Sequence, residues 1–167
     1  MTADHGKPRK GKGGGFHRKS AARLAAVQAL YQIELNDADV EGVILEFMAH
    51  RLPKAPVDTM LFSDVVRGAV RRREEIDARL RTALAAGWPL DRLEAVMRAI
   101  LRCGVYELLM RPDVPARPAI SEYVNVAHAF FSGDEPGFVN GVLNRLARDL
   151  RPHEFEGRDD GRGAQGR

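Results

Sequence analysis

Between residues 18 and 151 apolar side chains return every three or four positions, and prolines or glycines stand where each run ends. That period matches one face of an α-helix and not the alternation of a strand. The chain is therefore expected to be all-α, a compact bundle of six or seven helices. Leu24, Val27, Tyr31 and Leu35 mark a first helix with Ser20 as its N-cap. Val40, Val43, Ile44, Phe47 and Met48 mark a second, closed by Pro53 and Pro56. A long third helix is expected from about Asp58 to Leu84, with Arg71 and Glu75 paired one turn apart on its exposed face.

Gly87 ends that helix, and Pro89 suits the first turn of a fourth that runs from Leu90 to Leu108. The segment 111–118 holds three prolines and is expected to be a stiff loop. A fifth helix follows from about Ala119 to Phe131, and a last one carries Phe138, Val142, Leu146 and Leu150. Asn140-Gly141 between valines is also a hairpin signal. The amphipathic run downstream and the Asp134-Glu135-Pro136 start favour helix there.

The ends differ from this body. Residues 1–23 carry seven basic side chains against the single acid Asp4, a surplus of six within a chain whose net charge is only +3. Residues 1–17 are Gly- and Lys-rich, and 152–167 mix three arginines with glycine and acids; both are expected to be disordered, leaving 18–151 as the folded domain. A basic arm on a mildly acidic body suits phosphate binding, or simple solubility.

Chemistry is harder to find. The five histidines show no ligand spacing, and one cysteine excludes a disulfide framework or a thiolate-rich zinc site. No phosphate loop, dinucleotide fingerprint or nucleophile elbow is present. No cofactor, metal or catalytic residue is expected, and Cys103 reads as a buried small hydrophobe. No apolar run is long enough to cross a membrane, so the expected location is the cytoplasm. Gly104 and Gly141 sit inside helical runs and read as close-packing positions. Asn140 is either a local cap or an amide offered to an RNA base or a partner.

Taken together, AVQALYQIEL (26–35), Phe62 to Gly68, ILRCGVYEL (100–108), the DVP and AISEYVNVA stretches (113–127) and FVNGVLNRLA (138–147) resemble the bacterial antitermination factor family NusB over nearly the whole body. The resemblance implies a non-enzymatic, all-helical adaptor. It would bind single-stranded boxA RNA of ribosomal RNA leaders with the ribosomal protein NusE, and would join the RNA polymerase antitermination complex. Members of the family occur as monomers and as homodimers.

The family's basic cluster falls here on Arg18, Lys19 and Arg23, at the start of the first helix. Phe138 is the candidate stacking residue, if it is not core, and Asn140 the candidate base reader. Tyr31, Asp91, Tyr106 and Glu107 are the candidate partner-binding residues, each of which could instead be core or solvated face. Ser20 and Ala21 stand where arginine is frequent in the family, a deficit that the Gly/Lys arm could offset. Ser121 and His128 also depart from the family pattern. Two other readings remain: a helical protein–protein adaptor without specific RNA binding, and a NusB-like accessory domain of an rRNA methyltransferase.

Overall fold

The computed structural model describes residues 13–156 apart from Ala55 and Ala86. Among the described residues there are seven α-helices and no strand. They are α1 (Gly13–Asn36), α2 (Val40–Glu46), α3 (Thr59–Arg71), α4 (Arg73–Ala83), α5 (Ala95–Met110), α6 (Ala116–Phe130) and α7 (Glu135–Leu150). No helix among these residues is long and apolar enough to cross a membrane.

The core is organised around α5, which touches α1, α3, α4, α6 and α7. Residues 99–108 are buried without a break. A helix covered on all sides belongs at the centre of a bundle. Its close contacts depend on two glycines. A Cβ on Gly68 of α3 would sit 2.1 Å from the Tyr106 ring of α5, and one on Gly104 of α5 would sit 2.9 Å from Leu143 of α7.

Several boundaries differ from the sequence expectation. The first helix begins at Gly13, inside the segment expected to be a disordered arm. Extending a formed helix costs far less than nucleating one, so the buried face made by Ala22, Ala25, Ala26, Ala29 and Leu30 carries it outward past an unfavourable composition. Ser20 is consequently an interior residue rather than an N-cap, and its hydroxyl donates to Glu122 Oε2 across 2.7 Å. Residues 1–12, with the arm's Lys7, Arg9, Lys10 and Lys12, lie outside the described residues. Leu35, expected on the inward face, is 61% exposed.

The second helix has Asp39 as its N-cap, accepting from the Gly42 amide. It ends in a π-turn, Phe47–Arg51, closed by the Leu52 amide on the Phe47 carbonyl at 2.9 Å. The wider turn shifts the register, so Phe47 stacks on Phe62 at 5.7 Å while Met48 faces solvent. The expected long third helix is two helices that break at Arg72, and the expected Arg71–Glu75 pair is instead Arg72–Glu75 at 3.1 Å.

Leu90–Arg92 is a separate 3-10 turn ahead of α5. The sixth helix starts inside the proline-rich loop, at Ala116, because Pro118 falls in the first turn, where a missing N–H leaves no hydrogen bond unmade. Asn140 and Gly141 are helical, within α7, and a Cβ on Gly141 would meet nothing within 4 Å. Gly141 is thus no packing position, whereas Gly104 is.

Past α7, part of the expected C-terminal tail is folded. Pro152–Glu154 form a 3-10 turn and Phe155 is buried against the body. Arg151 is the anchor. Its guanidinium donates to the carbonyls of Glu107, Leu108, Arg111 and Val114, closing the C-terminal end of α5. Glu154 does the converse for α6, accepting from the Ala116 amide at 3.1 Å.

Candidate nucleic-acid interface

The first helix carries the residues expected to meet phosphate, and its surroundings divide them. Arg23 is 4% exposed and points inward. Its guanidinium makes two hydrogen bonds to Glu107, at 2.8 and 2.9 Å, and lies 3.4 Å from Glu122. The Tyr123 hydroxyl also donates to Glu107. Burial alone would lower the pKa of Arg23, yet the hydrogen bond and charge of Glu107 hold it above its ordinary value. Burial, followed by the charge of Glu107, raises the Tyr123 phenol well above its own. This is a closed buried ion network. Arg23 is therefore not a phosphate ligand, and Glu107, fully buried, is not a partner contact.

Arg18 and Lys19 are exposed, one turn earlier on the same helix. Neither lies within ion-pair distance of a carboxylate among the described residues. Lys19 is close enough to Asp113 to help lower that carboxyl's pKa, although the Arg111 hydrogen bond does most of this. The first turn of α6 and the last turn of α7 lie at this end too. Glu122 of α6 reaches Ser20 and Arg23, and Arg151 reaches the end of α5 that holds Glu107.

Phe138 and Asn140 are elsewhere. They begin α7, and 13 residues of helix at 1.5 Å each put Phe138 about 20 Å from Arg151 along the axis. Phe138 is half-buried beneath Trp88, with ring centres 6.3 Å apart. Trp88 is 62% exposed. Asn140 faces solvent, and its side-chain and main-chain oxygens both accept from Asn144. The structure thus separates the expected RNA residues into a cationic end and an aromatic end. Trp88 was not among them; the signal available was the chain's single tryptophan in a turn between Gly87 and Pro89.

The partner candidates scatter. Tyr106 is buried and donates to Asp64 at 2.9 Å, so it belongs to the α3–α5 contact rather than to a docking face. Asp91 is exposed, 4.0 Å from Arg81. Tyr31 lines a groove of about 810 Å³ between α1, the π-turn and α6, with Gln28, Leu35, Phe47, His50 and Phe130. Leu35, Met48 and Phe130 are among the exposed large apolar residues of the body.

Cys103 is buried in α5, and burial drives its thiol far above the ordinary range, which leaves it unreactive. No cluster of His, Cys, Asp or Glu among the described residues could hold a metal ion.

Residues 20–148 match the sequence pattern of the NusB family. The chain is 50% identical over 146 residues to the transcription antitermination protein NusB of Bradyrhizobium sp. (strain BTAi1 / ATCC BAA-1182), which covers 83% of this chain and 86% of that protein. It is 49% identical over 140 residues to the protein of the same name from Sphingopyxis alaskensis, covering 80% and 94%. Among solved structures, NusB from T. maritima superimposes with a TM-score of 0.70 at 30% identity, over 82% of this chain and 96% of that one. A chain in the crystal structure of antitermination factors NusB and NusE in complex with dsRNA superimposes with a TM-score of 0.69 at 28% identity, over 78% and 96%.

Proposed function

This chain belongs to the NusB family of transcription antitermination proteins, and from that membership we propose that it binds single-stranded boxA-type RNA together with a NusE-class ribosomal protein. It acts as a non-enzymatic, cytoplasmic adaptor that joins the RNA polymerase antitermination complex. The observation that carries the RNA half is the pair of exposed cations at the start of α1, Arg18 and Lys19, next to a body whose other arginines are mostly held by carboxylates. Such cations can neutralise phosphates and give affinity that falls with salt. Trp88 over Phe138 supplies an exposed aromatic face at the far end of α7, suited to stacking an unpaired base. A single strand laid between the two ends would use both.

The groove beside Tyr31 is the surface proposed for NusE, because exposed Leu35 and Phe130 border a concave apolar surface with polar edges there. A protein-only adaptor would use this groove and ignore RNA. Fluorescence anisotropy of a boxA-type RNA against a scrambled one, with and without NusE and at two salt concentrations, separates the readings. Preferential boxA binding that NusE tightens and salt weakens is expected. Equal, NusE-independent binding to both RNAs would leave only non-specific electrostatics.

A further inference from the structure

We propose that Arg117, Arg148 and Phe155 form a second phosphate-binding site, which extends the RNA path from the start of α1 across the ends of α6 and α7. The proposal rests on the RNA-binding reading above. Phe155 lies just beyond α7, 8% exposed, and both guanidiniums lie against its ring: Arg117 Cζ is 5.0 Å and Arg148 Cζ 5.3 Å from the ring centre. Both arginines are exposed, and neither reaches a carboxylate among the described residues.

Ten of the seventeen described arginines do reach one, and of the seven that do not, Arg117 and Arg148 are the two that lie against an aromatic ring among the described residues. An aromatic ring fixes a guanidinium without satisfying its donors. The N–H edges stay available for a planar, two-pronged contact with phosphate. Ordering two flexible side chains beforehand also removes part of the entropy cost of binding. Because both contact one ring, the two cations are separated by no more than the sum of those two distances, which suits neighbouring phosphates of one strand.

Their position is as informative as their pairing. Arg117 stands five residues before Glu122, the α6 residue that takes Ser20 and Arg23 of α1. Arg148 stands three residues before Arg151, which closes the end of α5. Both cations therefore belong to the end of the molecule that presents Arg18 and Lys19. An acidic protein would be the other ligand for two arginines; continuity with those first-helix cations favours the RNA strand.

The test uses the full chain, a boxA-type single-stranded RNA, and the same RNA extended by about ten nucleotides. Anisotropy is measured across a salt series. Arg117→Gln with Arg148→Gln is expected to weaken binding of the extended RNA and to flatten its log–log salt slope by about 1.4, two phosphates at roughly 0.7 each. The shorter RNA should change by less than about twofold. Arg117→Lys with Arg148→Lys should keep the slope, and Phe155→Leu should keep the slope while losing affinity. An unchanged slope in the glutamine pair would overturn the site and leave the RNA reading intact. Absence of RNA binding by the wild-type chain would overturn both. Loss of NusE binding with normal RNA binding would overturn the site in favour of a protein ligand.

Discussion

Arg23 and its neighbours show how two residues four positions apart can serve opposite ends. Lys19 and Arg23 are one turn apart on α1, yet one faces water and the other is sealed against Glu107. Removing Arg23 would strand a fully buried carboxylate, so Arg23→Met should destabilise the fold by about 3–5 kcal/mol. Urea denaturation measures this directly. Arg18→Gln with Lys19→Gln should leave the same denaturation curve within about 0.5 kcal/mol and reduce RNA affinity. Equal damage to stability from both changes would contradict the division.

The sequence made α1 basic but could not say which of its cations were structural. The acid that claims Arg23 lies 84 residues away, on a different helix. Tyr106 was obscured in the same way, since its partner Asp64 sits on α3. Its phenol is pushed up from 10 to about 12, mainly by burial and then by the hydrogen bond to Asp64. The folded state therefore keeps a proton that the unfolded chain releases from about pH 10, and stability falls as pH rises through that window. Tyr106→Phe should cost about 1 kcal/mol near pH 7, and the gap to wild type should narrow above pH 10. A gap that holds constant from pH 7 to about 12 would refute this.

At the level of elements, the periodic signal placed most helices correctly and misjudged where they stop. A period of 3.6 cannot register a break such as Arg72, where the apolar face continues across the bend from Ala69 to Ile76. Nor can it register the extra residue of the π-turn that turns Met48 outward. The glycines illustrate the same limit. Gly104 and Gly141 look alike in sequence, yet one is pressed on Leu143 and the other faces open space. Gly141→Ala should accordingly raise stability by roughly 0.5–1 kcal/mol. Gly68→Ala should lower it by about 1–3 kcal/mol, because the Tyr106 ring must move. Thermal melts of the two variants should shift in opposite directions, and a shift of the same sign would show that the α3–α5 crossing relaxes freely.

Across the whole molecule the proposed functions occupy separate surfaces. The cations collect where α1 begins, the Trp88–Phe138 pair lies about 20 Å away along α7, and the apolar groove is bounded by Tyr31 and Phe130. A change in one should spare the others. Leu35→Asp is exposed enough to leave folding unaffected and should weaken NusE binding at least several-fold while binding of RNA alone is unchanged. Calorimetry with NusE and anisotropy with RNA on the same variant check this, and parallel losses would mean that the two surfaces overlap. The all-helical body and its family were legible in the sequence. The division of labour among surfaces was not, because it depends on which side chains from distant helices neutralise one another.

Arg151 gives the molecule an order of completion as well as a shape. The carbonyls it caps, those of Glu107, Leu108, Arg111 and Val114, belong to residues made about forty positions earlier. On a translating ribosome the end of α5 must wait for Arg151 to emerge. The α6 amide that Glu154 caps waits just as long. The cationic end of the body is therefore among the last parts to be finished during synthesis, and a nascent chain stopped short of Arg151 would have its central helix without the clasp on its C-terminal carbonyls.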